Sequence, residues 1–395
     1  MKILLIDHLF SEGPTPKIQR DFWKEMKRKN DLELYVICEP GEFEADFECH
    51  KIVVKKQKWV LSFFRILRGF GLRDLSLLPD TYVYSWNKEA YNKALQVCKV
   101  EKIDYIYSLS WPCSTHLVAY KLKKKTGLPW VACFYDPWVE HIVKKYRFDY
   151  FRRKDAQKER LVAEYADIII HTNDRMCLNW KDRYGESVAN KMKVLPLCLN
   201  IDELPAIKSH KRNGKLKIVH IGGVYGNRNS ADLVTAIEHL IDTNKDFEEM
   251  LEVIYVGDTI ERERIKGNKK IGHLFKFTGL LPLNELDTYY DNADIFLLID
   301  MNMRNCPFFP SKLMIYQYYR KPIIGITTEG SVLEQELKEA NYPVFYYGDA
   351  LTLEKYIQKA LTHYSCLLSY KDDVWKKYDS RRIAKSFSDI INKLK

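Results

Sequence analysis

Two short stretches bring together residue types that hold phosphate. In FFPSKLMIYQYYRKPIIG (308–325) a short loop leads into a helix and then a buried strand. Lys312 falls in the first helical turn, and Ser311 stands where an N-cap would. An ammonium group beside free helix N–H groups is by type a phosphate ligand; the bland alternative is a solvated lysine beside a capping serine. In IVHIGGVYGNRNSADLVTAIEHL (218–240) a strand runs into Gly222 and Gly223, then Gly226 and Arg228, then an amphipathic helix. Glycines let backbone approach an anion closely, and a guanidinium adds a bidentate ligand. The spacing is not GxGxxG, so a nicotinamide fingerprint is not met; the alternative is a plain glycine turn with a surface arginine. Both motifs follow strands of one half of the chain. A diphosphate held between two helix N-termini by one Arg and one Lys describes a nucleoside-diphosphate site.

Two further stretches lie in the first half. In LPWVACFYDPWVEH (128–141), Asp136 follows a buried strand and could orient or deprotonate a hydroxyl; an Asx turn before Pro137 is the structural alternative. His116 and His141 are the nearby base candidates. In KKQKWVLSFFRILRGFGLRD (55–74), basic residues interleave with Trp59, Phe63, Phe64, Leu67 and Phe70, and no acid precedes Asp74. Such a segment lies down on an anionic membrane, or else packs its apolar face on a sheet.

The elements that must position these residues alternate throughout. Strands are expected at 2–7, 32–38, 104–109, 129–135, 167–172 and 193–197, with helical patterns such as YNKALQVCKVEK and THLVAYKLKKKTG between them. A polar stretch, DELPAIKSHKRNGK, then reads as a linker. The pattern restarts at 215–223, 251–258, 274–279, 294–300, 321–327 and 342–348. Apolar strands alternating with helices predict parallel sheets covered on both faces. The expected architecture is α/β, with two Rossmann-like, doubly wound domains facing a cleft and joined near residue 210. Ligands in such sheets bind beyond the carboxyl ends of strands.

Length and composition agree. The chain has 395 residues, enough for two or three domains, and its 46% hydrophobic content supplies a large core. No apolar run reaches the roughly 20 residues a bilayer span needs, and the opening MKILLIDHLF reads as a first strand rather than a secretory signal. Nine cysteines are scattered without CxxC spacing, which argues against a zinc or redox pair and for a reducing compartment. The net charge of +10 is uneven: residues 1–200 hold 35 Lys+Arg against 26 Asp+Glu, whereas the remainder is nearly balanced. The first half is therefore drawn to something anionic. No GxSxG, HExxH, P-loop or DxD occurs, and no nucleic-acid-binding module is recognisable, so nucleic acid is not an expected partner.

In order along the chain, several stretches resemble the bacterial GT-B glycosyltransferases of family 4. They are SWNKEAYNKALQVCKVEKIDYIYSLSWPCSTHLVAYKLKKKTGLPWVACFYDPW, AEYADIIIHTND, HIGGVYGNRNSADLVTAIEHL, FKFTGLLPLNELDTYYDNADIFLLI and PSKLMIYQYYRKPIIG. The Asp-Pro-Trp and Pro-Ser-Lys-Leu elements are the most specific, and the resemblance spans residues 1 to about 340. It implies an N-terminal acceptor-binding domain over 1–205, a C-terminal nucleotide-sugar-binding domain over 206–365, and C-terminal helices over 366–395 packing back toward the first domain.

By position, the resemblance implies catalytic roles for Asp136, Arg228 and Lys312. It implies donor binding by Gly222, Gly223, Tyr225, Arg228, Leu281, Ser311, Lys312 and Leu313, and acceptor binding by Gly13, His116 and Trp138. No metal and no cofactor is implied, since helix dipoles and basic side chains neutralise the leaving diphosphate; the anomeric configuration is retained. One departure stands out. Such helices read Pro-Ser-Lys-Leu-Phe-Glu-Tyr, with a Glu on the ribose hydroxyls, where this chain has Ile315; Pro307 stands where a second acid is usual, and Tyr319-Arg320-Lys321-Pro322 replaces Ala-Gly-Lys-Pro. Losing a charge-assisted ribose bond costs about 1.5–3 kcal/mol, unless Asp300 or Asn302 takes over.

The expected activity is a retaining, metal-independent transfer from a nucleotide-sugar donor to a glycan or lipid-linked glycan. It would serve bacterial surface-polysaccharide or lipopolysaccharide assembly, in the cytoplasm or peripherally at the inner face of the plasma membrane through residues 55–73. A non-catalytic glycan- or membrane-binding relative is the alternative that Ile315 favours. A sugar-nucleotide 2-epimerase on the same fold and a basic nucleic-acid binder are more distant readings.

Overall fold

A computed structural model describes residues 1–10, 14–41, 45–69, 81–141, 146, 148–207, 212, 214–368, 370–371 and 373–394. Gly13 and residues 70–73 of the basic segment lie outside these, as do the side chains of Phe64, Leu67 and Arg68. The chain divides into two compact units. Unit 1 comprises Met1–Ile201 and Tyr378–Lys395; unit 2 is Asp202–Lys377.

Unit 1 begins with β1 (Lys2–Ile6), α1 (Pro14–Lys29), β2 (Glu33–Cys38), β3 (His50–Val53) and α2 (Lys58–Gly69). It continues through α3 (Thr81–Ser85), α4 (Asn87–Val100), β4 (Tyr105–Leu109), α5 (Thr115–Thr126) and β5 (Trp130–Phe134). It then adds α6 (Asp149–Tyr165), β6 (Ile168–His171), α7 (Asp174–Tyr184), α8 (Glu186–Ala189) and β7 (Met192–Val194). All seven strands run parallel in the order β3-β2-β1-β4-β5-β6-β7. Alternation along β1 sends Leu4 and Ile6 into one core and Ile3 and Leu5 into the other, so the sheet is buried on both faces.

Unit 2 repeats the plan with β8 (Leu216–Ile221), α9 (Ala231–Thr243), α10 (Asp246–Met250), β9 (Leu251–Val256), α11 (Arg262–Lys266) and β10 (Phe275–Gly279). There follow α12 (Leu286–Asn292), β11 (Ile295–Ile299), α13 (Lys312–Tyr318), β12 (Ile323–Thr327), α14 (Val332–Glu339), β13 (Val344–Tyr346) and α15 (Ala350–Thr362). The order β10-β9-β8-β11-β12-β13 is again all parallel. It places the reversal of strand order between β8 and β11. Sheets of this kind take ligands at such a reversal, beyond the strand carboxyl ends.

The last helix, α16 (Ser380–Ile391), belongs to unit 1. Asp379 caps it by accepting from the Arg381 N–H at 2.9 Å. Its apolar stripe (Ile383, Ala384, Phe387 and Ile391) is buried with Phe22, Trp23 and Met26 of α1. Phe387 lies edge-on to Phe22, Trp23 and Tyr107 at 5.3, 6.0 and 5.6 Å. Burying one such ring is worth about 1.5–3 kcal/mol.

The ends of α12 and α13 explain the residues at 320–321. Lys321 is buried, and its Nζ donates to the carbonyls of Tyr290, Asp291 and Ala293, which closes the C-terminus of α12. Arg320 adopts φ 51° at the end of α13, in the left-handed region that favours glycine. Among the described residues no helix is long and apolar enough to cross a membrane.

Candidate functional site

The site of unit 2 grows from the end of β8. That strand is buried throughout its C-terminal half, and it is followed at once by Gly222, whose φ of +110° a side chain would strain. A Cβ on Gly222 would lie 2.8 Å from Lys312 Nζ. A Cβ on Gly257 would lie 2.9 Å from the Gly222 carbonyl, so the loops after β8 and β9 touch backbone to backbone. Glycine is thus demanded twice, by conformation and by space.

Helix α13 is tied to the same spot. Tyr316, fully buried and stacked on Phe296 at 4.2 Å, accepts a hydrogen bond from the Ile221 N–H at 2.9 Å. One turn earlier, Lys312 Nζ approaches His220 Nε2 at 3.2 Å. His220 Nδ1–H donates to the Leu297 carbonyl of β11 at 2.9 Å. Burial first, then the Lys312 and Arg228 charges, hold His220 well below its ordinary range. Burial, then Arg228, pull the Lys312 ammonium down to about 7.

Arg228 completes the arrangement. Its guanidinium lies 4.6 Å from the centre of the Tyr225 ring, and its Nη1 is buried without a hydrogen-bond partner. Among the described residues neither Arg228 nor Lys312 makes an ion pair. The loop carrying Arg228 is tethered to the loop after β11 by Asn227 Nδ2 donating to the Asn302 carbonyl at 2.9 Å. Beside it a cavity of about 330 Å³ is lined by Gly223, Tyr225, Gly257, Asp258, Thr259, Arg262, Phe277 and Gly279, among others.

Several expected partners stand elsewhere. Ser311 is exposed and helical, and its side chain caps nothing, which corrects the N-cap expectation: α13 starts from a helical turn in which the Leu313 N–H donates to the Pro310 carbonyl. The Leu313 side chain is wholly in the core. Leu281 is half-buried after β10, and the residues of that strand that line the cavity are Phe277 and Gly279. Asp300, a candidate to replace the missing ribose acid, is turned inward. Its Oδ1 accepts from the Met301 N–H, its Oδ2 from Thr327 Oγ1, and burial raises its pKa. Ile315 is half-buried on α13.

In unit 1, Asp136 is half-buried two residues beyond β5. His116 is 0% exposed, shares a hydrogen bond with Ser108 Oγ at 2.8 Å, and lies 4.2 Å from the Phe134 ring; burial drives it to about 3. Trp138 is likewise a core residue at 1% exposure. As placed, both have sheet-packing roles and offer almost no surface to an acceptor. His141 packs against Trp111 at 4.9 Å. The sequence reading missed His220, Tyr316 and Gly257. A histidine inside an otherwise apolar strand was the one available signal.

No protein-family model matches the chain, and no curated protein does. Solved structures match it over its full length. Sucrose-phosphate synthase from Thermosynechococcus elongatus aligns with a TM-score of 0.69 at 15% identity, covering 100% of this chain and 98% of that one. The fold is GT-B. Anabaena HepE in complex with UDP and glucose gives 0.64 at 14% identity, with all of both chains covered. WaaG, a glycosyltransferase involved in lipopolysaccharide biosynthesis, gives 0.61 at 16% identity, covering 98% of this chain and 99% of its own. Among the described residues no cluster of His, Cys, Asp and Glu forms a metal-holding group.

Proposed function

We propose that the chain is a glycosyltransferase that takes a sugar from a nucleoside-diphosphate donor and delivers it to a glycan or lipid-linked glycan in bacterial surface-polysaccharide assembly. The observation that carries this reading is a pair of neighbouring cations, Lys312 and Arg228, gathered at a glycine loop with no carboxylate paired to either among the described residues. Two desolvated like charges repel, and an anion with several oxygens relieves both at once. A diphosphate fits that demand. As the sugar's C1–O bond breaks, negative charge grows on the leaving phosphate, where two preset cations stabilise it most. The reading needs no metal, because these side chains supply the counter-charge. The cavity beside Tyr225 has room for the nucleoside, and HepE, of the same fold, is known with UDP and glucose.

Gly222, Gly223, Tyr225, Arg228 and Lys312 are the donor-side residues in this reading, with Leu281, Ser311 and Leu313 at its margin. Asp136 positions or deprotonates the acceptor hydroxyl, the anomeric configuration is retained, and Gly13 belongs to the acceptor side, with His116 and Trp138 supporting that side from the core rather than touching the acceptor. Lipid-linked acceptors bring the protein to the inner membrane surface. Helix α2 suits that surface: Trp59 and Ile66 are 72% and 59% exposed along one stripe with Phe63, Val60 is buried beneath, and Lys55, Lys58 and Arg65 flank it.

A second reading keeps the fold but not the turnover. Ile315 carries no acid where a ribose-binding Glu is expected, and Asp300 is turned inward, which favours a non-catalytic partner that binds glycan or membrane. Calorimetry with UDP-, GDP-, ADP- and CDP-sugars separates the two. An enzyme binds one of them and releases its nucleoside diphosphate when given an acceptor; a partner protein binds none.

A further inference from the structure

Beneath the glycine loop a buried histidine does something that holding a diphosphate does not by itself require. His220 is 0% exposed in β8. Its Nδ1–H is committed to the Leu297 carbonyl at 2.9 Å, which leaves a lone pair on Nε2. That lone pair faces Lys312 Nζ at 3.2 Å. The same ammonium meets Gly222, two residues further on, closely enough that a Cβ there would stand 2.8 Å away. The ammonium thus rests against an imidazole acceptor and a bare glycine together.

We propose that His220 is a positioning residue for Lys312: its Nε2 accepts one ammonium proton, steers the remaining two toward the anion, and makes occupation of the site by a phosphate-bearing ligand draw a proton from solution. This rests on the donor reading above and adds to it a protonation step in the binding event.

The charges around Lys312 support the coupling. From β8 it faces His220, and from the loop before α9 it faces Arg228. On its own helix, Tyr316 is occupied with the Ile221 N–H. Asp300 and Tyr347 feel the Arg228 charge, and neither is among the groups that shift Lys312. No carboxylate stands within ion-pair distance of Lys312 among the described residues. With its pKa drawn down to about 7 by burial and by Arg228, the empty site holds the amine about half neutral at pH 7. A bound phosphate restores the charged form, so the ligand and a proton enter together. Affinity is therefore greatest below pH 7 and falls as pH rises through it, toward tenfold per pH unit.

Two measurements test the pair, one of them without ligand. In the ligand-free protein, the pH dependence of Lys312 acylation, read on its peptide by mass spectrometry, should show a midpoint near 7. His220→Leu should move that midpoint down, because the acceptor that steadies the ammonium is gone, and His220→Gln, which keeps an acceptor oxygen, should largely restore it. In the second, UDP is titrated calorimetrically into the full chain in buffers of different ionisation enthalpy. Once the proton that UDP's own terminal phosphate (pKa about 6) gives up is subtracted, net uptake should rise from little at pH 6 toward one proton at pH 8. UDP binding with no proton uptake overturns the proposal and leaves the donor reading intact. A Lys312 midpoint unmoved in a folded His220→Leu also overturns it. If no nucleoside diphosphate binds while the acylation midpoints behave as stated, the donor reading fails and the His220–Lys312 coupling stands. Should His220→Leu not fold, the uptake curve of the unaltered protein decides.

Discussion

Lys312 and Gly222 share one small volume: the ammonium nitrogen lies 2.8 Å from where a Cβ on Gly222 would be. Gly222→Ala should therefore cost twice. The φ of +110° strains the backbone by about 1–2 kcal/mol, and the new methyl displaces the ammonium. Thermal melting should register the first. UDP affinity should fall at least about tenfold by the second. Gly223→Ala is the control: its Cβ would meet the exposed Tyr225 ring at 3.3 Å, which can yield, so melting should change little.

Lys312→Met should stabilise the ligand-free protein while abolishing its nucleotide response. The substitution removes a desolvated charge and its repulsion with Arg228. A gain on the order of 1 kcal/mol is expected. In a thermal-shift assay the variant should melt higher than the parent without nucleotide and show no further rise with it. A lower melting temperature with an intact nucleotide shift would contradict the site.

Asp7 sets a pH dependence in unit 1. It is buried just past β1; one oxygen accepts the Leu9 N–H at 3.2 Å, and the other has no partner. Burial raises it from 3.8 to about 7 against the opposing pull of Leu9 and Arg20. Because the folded pKa is the higher, its contribution is present below about pH 4 and is lost as pH rises to about 7. Asp7→Asn should match the parent near pH 4 and exceed it by roughly 4 kcal/mol above pH 7. His116 and His171, both drawn by burial to about 3, run the other way and lose stability as pH falls below about 6.5. Only the difference between variant and parent isolates Asp7. Seven of the eight tryptophans lie in unit 1, so fluorescence-detected urea melts report it.

Arg320 occupies a left-handed turn at φ 51°. Arg320→Gly should relieve it and raise the stability of unit 2 by about 0.5–1 kcal/mol, whereas Arg320→Ala, which keeps a Cβ, should gain nothing. Denaturant melts of the two variants check this.

Much of the architecture was legible because parallel strands buried on both faces must read as unbroken apolar runs. KILLI, WVACF and IFLLI leave little choice. β3 escaped because HKIV is an edge strand, half exposed and without a clear apolar pattern. Gly222, Arg228 and Lys312 drew notice because glycine and cations after strands have few other uses, and the fold does bring them together. Ser311 misled: a serine before a helix suggests a cap, but only backbone dihedrals reveal whether it has left the helix. Asp300 misled for a related reason, since a carboxylate at a strand end looks available until Thr327 and the Met301 N–H claim it. His220 was in plain view and unassigned, because its meaning lies in β11 and α13, neither of which is local to it.

The pairing of α16 with α1 has a consequence for biosynthesis. Unit 1 is stitched from two stretches of chain, with all of unit 2 between them. On the ribosome, Phe22, Trp23 and Met26 are made early, yet Phe387 follows only after unit 2 has been translated. At about 5–20 residues per second, that greasy face stays uncovered for many seconds, and it is there that a nascent-chain chaperone would find its hold.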